Sequence, residues 1–131
     1  MNLPEHMQVM TDHAHYSPRG EVTLADGVAL VTHAIRFCRE RKISHLLVDT
    51  TGLIGFPPPM IYERYWFSQE WAHEAKGTLV MAIVAREEII DPQKFGVLVA
   101  RNAGLNAEVS ASLSEALAWL LAQKAPGSKF S

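Results

Sequence analysis

Apolar positions along this chain switch between two rhythms. Leu24, Val28, Val31, Ile35 and Cys38 are spaced four, three, four and three, which predicts a helix over 24–41 with one face on a sheet. Residues 43–48 then read as a central strand, and the unbroken run TLVMAIVA at 78–85 as a strand buried on both faces. Between them a helix is expected from about 59 to 75, carrying Ile61, Tyr62, Tyr65, Trp66, Phe67 and Trp71. Tyr62, Trp66 and, one residue short of the next turn, Gln69 fall near one line of it, flanked by Ile61 and Tyr65. Phe95, Leu98 and Val99 share a face of a third predicted helix ending near Asn102. A short strand at 107–110 and a last helix with Ala116, Leu117, Leu120 and Leu121 facing inward, Trp119 near their edge, complete the pattern.

Punctuation residues set the boundaries. Thr23 with Asp26, and Ser112 with Glu115, read as helix starts in which a hydroxyl accepts from a free backbone N–H. Asp91 and Pro92 read as N-cap and first residue of the third helix, and Gly77 and Gly104 as helix stops. Pro18, Arg19 and Gly20 read as a turn, and the prolines at 57–59 end whatever strand precedes them. Residues 7–16 alternate weakly and supply one or two short edge strands, with His13 and His15 on one face; residues 126–131 read as a polar, frayed tail. Alternating helices and strands predict one α/β domain over 1–131, with a mostly parallel, mixed sheet of 4–5 strands and about four helices.

Composition narrows the function classes. In 131 residues, 48% hydrophobic and 20% charged, there is material for one ordinary globular core. A formal net charge of −2 supplies no drive toward a polyanion, which argues against nucleic acid as a partner. No apolar run reaches the roughly 20 residues that span a bilayer, and the first ten residues lack a basic segment leading into an apolar one, so neither a membrane span nor a signal peptide is expected. The lone cysteine, Cys38, has no partner for an internal disulfide, which suits a reducing cytoplasm.

The candidate chemistry gathers around LLVDTTGLIGFPPP, residues 46–59, where an apolar strand runs into polar groups at what should be a sheet's carboxyl edge. Asp49 at the strand end can orient a ligand or act as a base; the preferred alternative is that it accepts hydrogen bonds from Thr51, Gly52 or nearby N–H groups and holds the turn. Thr50 and Thr51 divide the same way. Arg86, Asp91, Lys94 and Arg101 form a second cluster able to receive a phosphate or carboxylate, with Lys94 expected in the first turn of the third helix; the competing reading pairs Arg86 with Glu88 or Asp91. Arg36, Arg39, Arg41 and Lys42 read as a solvated helix end rather than an anion site. His13, His15 and Asp12 could approach a metal, but the remaining histidines are scattered and no metal or other cofactor is expected. No serine or cysteine has a base and an orienting partner, so no catalytic residue is assigned.

Val48, Asp49, Thr50, Thr51, Gly52 and Leu53, followed about five residues later by a helix start, resemble the signature of the STAS superfamily, the domains of anti-sigma factor antagonists and sulfate transporter tails. The resemblance covers the element order from about 22 to 121 and is sharp over about a dozen residues. It implies a regulatory or protein-interaction module that uses the loop and following helix as its recognition surface. In the antagonists that helix opens on a phosphorylated serine, whereas this chain has Pro57, Pro58, Pro59 and Met60 there, so the phosphoswitch does not carry over.

The expectation is thus a non-enzymatic interaction module whose partner is another protein or a second copy of itself, through Tyr62, Tyr65 and Trp66. The alternative is a binder of an anionic or lipid-like small molecule, with Asp49, Thr50, Thr51, Arg86 and Lys94 around the sheet edge and Phe56 and Tyr62 as apolar walls. A small enzyme using Asp49 ranks last.

Overall fold

Among the described residues, three of the four helices lie on the same side of the main sheet, and the strand order explains why. The computed structural model describes residues 2–127, so the expected tail lies outside the described residues from 128 onward. In chain order the elements are β1 (Met7–Val9), β2 (Ala14–Tyr16), β3 (Arg19–Glu21), α1 (Leu24–Glu40), β4 (His45–Asp49), β5 (Gly52–Ile54), α2 (Ile61–Ala75), β6 (Val80–Val84), a 3-10 turn (Glu87–Ile89), α3 (Phe95–Asn102), β7 (Asn106–Ser110) and α4 (Leu113–Ala122). The main sheet has the order β1-β2-β4-β6-β7, antiparallel at β1 and β2 and parallel from there on. Each crossover through α1, α2 and α3 steps one strand in the same direction, and crossovers of one hand then stack on one face.

Alternation within the strands divides the core. Leu46, Val48 and Met81 belong to the cluster under α1, α2 and the end of α3, while Leu47, Val80, Ala82 and Val84 pack with Ala116 and Leu120 of α4. Both faces of β4 and β6 are therefore dry, as their apolar runs predict. Removing a large side chain from the first cluster, Phe37 or Ile35 of α1, would cost about 2–5 kcal/mol by leaving a hole that close-packed neighbours cannot fill.

Several local expectations are corrected. Pro18, Arg19 and Gly20 do not simply turn: residues 19–21 form β3, paired parallel with β5 in a two-stranded ribbon beyond the ends of β2 and β4. β2 is interior, leaving only β1 as the antiparallel edge. The third helix begins at Phe95, later than Asp91 and Pro92 suggested. Asp91 accepts from the Phe95 N–H at 2.9 Å, and Lys94, left-handed at φ 53°, is the N-cap. The buried residues of α3 are Val97, Val99 and Ala100, while Leu98 points to solvent. In α4, Leu121 is exposed. After α2 the chain is left-handed at both Lys76 and Gly77, so the expected stop at Gly77 is joined by the residue before it.

The basic end of α1 is not simply solvated. Arg36 and Arg39 both converge on Glu74 of α2, with Arg36 Nη2 at 3.0 Å and Arg39 Nη2 at 2.6 Å from its two carboxylate oxygens, and Arg39 Nε donates to the Glu74 carbonyl at 2.8 Å. Arg41 lies over the Phe37 ring at 4.9 Å.

Candidate functional site

Beyond the carboxyl end of β4 the backbone makes a tight, hydrogen-bonded bend. Thr51 donates to the Asp49 carboxylate through its backbone N–H at 3.0 Å and its hydroxyl at 2.6 Å, and Thr50 donates to the Val84 carbonyl through both its N–H and its hydroxyl at 2.8 Å. Asp49, Thr50 and Thr51 thus hold the turn that feeds β5. Two glycines let β5 lie against β3. A Cβ on Gly52 would come 3.1 Å from the Pro18 carbonyl, and one on Gly55, at φ 107°, would come 2.7 Å from the Val22 carbonyl. The ribbon turns Leu53 inward, and Arg86 secures it by donating to the Leu53 carbonyl at 3.2 Å while pairing with Glu88.

Behind this ribbon is a cavity of about 120 Å³. Its floor is Met81 and Ile83 of β6 with Val109 of β7, its walls are Phe67 and Trp71 of α2, and Leu53 and Phe56 roof it. Phe67 and Trp71 pack with ring centroids 4.8 Å apart, and the Trp71 indole N–H donates to the Val28 carbonyl at 3.3 Å, so this wall is rigid. The volume is many times that of one water and close to that of apolar cavities that accept a benzene-sized guest, about 150 Å³.

Five polar side chains reach the cavity, and three of them are engaged by protein partners. Thr50 donates to Val84, Asp91 accepts from Phe95, and Lys94 is ion-paired with Glu108 at 3.1 Å. Arg101 shares Glu108 at 3.4 Å, and its Nε donates to the Ala107 carbonyl, so the cations expected to gather an anion are occupied by this carboxylate and by backbone. Burial works to raise the Glu108 pKa, but the Val109 N–H together with Lys94 and Arg101 outweigh it, and its net shift is downward.

The other two are Arg64 and Ser68, neither of which stands out in the sequence. Arg64 donates through Nε to the Pro59 carbonyl at 3.0 Å and through Nη2 to the Ile89 carbonyl at 2.9 Å, stitching the loop before α2 to the 3-10 turn across the cavity rim. No ion pair among the described residues includes it. Ser68, one turn further along α2 and 3% exposed, makes no side-chain hydrogen bond within the described residues.

Of the residues proposed from sequence, Thr50, Phe56 and Lys94 line the cavity; Asp49, Thr51 and Arg86 brace its roof from outside. Tyr62 is corrected: it is 67% exposed on the outer face of α2 together with Tyr65 and Trp66, and does not wall the cavity. The inward stripe of α2 is Arg64, Phe67, Ser68, Trp71, Ala72 and Ala75, at perfect helical spacing. Its first and third members are polar, which breaks the apolar pattern that would have revealed it.

The histidines sit elsewhere. The His13 and His15 ring centroids are 6.3 Å apart, His13 Nδ1 is 2.7 Å from an Asp12 oxygen, and among the described residues no three metal-binding side chains converge. Burial, with His13 nearby, lowers the His15 pKa against the opposing pull of Asp49. Cys38 is fully buried and burial pushes its thiol up to about 12, which removes it as a nucleophile. Among the described residues no helix is long and apolar enough to cross a membrane. No protein-family model, curated protein or solved structure matches this chain.

Proposed function

We propose that this chain is a binding module for a small, mainly apolar molecule, held in the cavity between α2, α3 and the β5 ribbon. The observation that carries the reading is the cavity itself: apolar on most sides, rigid along Phe67 and Trp71, and bordered by the two segments, 49–59 and 86–94, that flank the sheet's carboxyl edge. Binding rather than catalysis is favoured because Thr50, Asp91 and Lys94 are each engaged by a protein partner and not left facing a reacting group. Hexan-1-ol and benzene titrated into labelled protein are expected to shift the amide resonances of Leu53, Phe67 and Val97 saturably. A linear drift without saturation at these positions would overturn the reading.

A protein-interaction role is favoured by a different observation, the outer face of α2. Tyr62, Tyr65 and Trp66 stand 67%, 53% and 43% exposed, with Met60 and Ile61 beside them, and aromatic side chains of this kind are enriched where proteins meet. The STAS resemblance assigns recognition to the loop and the helix that follows it, without choosing a face, and a STAS-like regulatory module remains part of the proposal. Sedimentation of the wild type is expected to show concentration-dependent self-association that the double variant Tyr62→Ser, Trp66→Ser removes; a monomer at every concentration would end that idea.

A further inference from the structure

We infer that the cavity takes a monocarboxylate with a short apolar tail, and that the Arg64 guanidinium receives its carboxylate. The inference rests on the binding reading above and adds the ligand's head group. Arg64 has five N–H donors, of which the structure uses two, both on carbonyl oxygens that orient the group without neutralising it. A guanidinium fixed at the rim of an apolar cavity presents its remaining donors in the planar fork that matches a carboxylate.

The neighbouring polar groups select for this class. Ser68 lies four residues on, hence on the same face of α2, borders the cavity and makes no side-chain hydrogen bond within the described residues. It can donate to a second ligand oxygen. Gly96 of α3 keeps that position clear, since a Cβ there would come 3.0 Å from the Ser68 Oγ. Asp91 lies on the same lining and opposes a multiply charged ligand, while Lys94 has its charge committed to Glu108. The one cation on this lining without an ion pair among the described residues, Arg64, can neutralise a single negative charge, and the nearby Asp91 carboxylate disfavours a more highly charged phosphate. The volume allows a tail of about six carbons.

The test compares hexanoate with hexan-1-ol on the unmodified chain, following backbone amides and the Arg64 Nε–Hε resonance. Hexanoate is expected to bind about tenfold more tightly than the alcohol and to move the Arg64 resonance, which the alcohol leaves in place. In Arg64→Gln the preference is expected to vanish. If the alcohol binds saturably but hexanoate binds no better, or leaves Arg64 unmoved, the carboxylate inference is overturned and the cavity reading stands. If neither binds, both are overturned.

Discussion

Glu74 shows how one carboxylate can join two helices. The hydrogen bond from Arg36, reinforced by Arg39, holds its pKa down at about 2 although its side chain is only 15% exposed. A carboxylate depressed in the folded state stabilises above its unfolded pKa of about 4.5, and that stability is lost as pH falls through the window down to about 2. Glu74→Gln should therefore cost about 1–2 kcal/mol at pH 7, with solvent screening of Arg36 discounted, and the difference from wild type should shrink steadily in urea titrations between pH 4.5 and pH 2. His15 acts in the same direction but nearer neutrality. Its lowered pKa means that the unfolded chain binds the proton more readily, so stability is complete above the usual histidine value near 6.5 and declines as pH falls below it. The melting temperature should drop more between pH 7.5 and pH 5.5 in wild type than in His15→Gln. Gly55→Ala should destabilise by about 1–3 kcal/mol in chemical denaturation, because its φ of 107° and the Val22 carbonyl 2.7 Å from the new Cβ leave no room to relax.

At the scale of elements, α2 carries two unlike faces. Its inward stripe packs on α1 and the cavity, and its outward face leaves Tyr62, Tyr65 and Trp66 in solvent. The sequence shows a density of aromatic residues without showing which face they serve. Seven residues span almost two turns, and a reading that seeks the most apolar line selects Tyr62 and Trp66 over Arg64, Phe67 and Ser68. The β3–β5 ribbon was hidden for a similar reason. Strands of three residues carry too little alternation to register, and Pro18 with Gly20 reads as a turn when no partner strand is in view. The start of α3 was displaced because Asp91 caps the Phe95 N–H across an intervening turn instead of opening the helix at Pro92.

At the scale of the whole molecule, the sheet advances in one direction, so α1, α2 and α3 share a face and α4 covers β4, β6 and β7 on the other. The first face closes over the core containing Cys38, while the gap between α2, α3 and the β5 ribbon stays open as the cavity. Because Cys38 is at 0% exposure with a thiol pKa of about 12, a thiol reagent should modify native protein only through global opening. The labelling rate should therefore rise with urea in step with the unfolding equilibrium; rapid labelling without denaturant would show that α1 detaches locally.

The α/β class, the helices, the Thr23 and Ser112 caps, the buried strands β4 and β6 and the bend at Asp49, Thr50 and Thr51 were all legible in the sequence. Each is decided by neighbours within a few residues: apolar period, hydroxyl caps, prolines and a carboxylate two residues from its donor. Tertiary structure alone decided the rest. Glu74 meets Arg36 and Arg39 from 38 and 35 residues away, Lys94 meets Glu108, and Arg64 reaches the carbonyls of Pro59 and Ile89 across the cavity rim. A charged residue's partner depends on which helix faces lie together, and a cavity on what three elements fail to fill. Neither property belongs to any one stretch of chain.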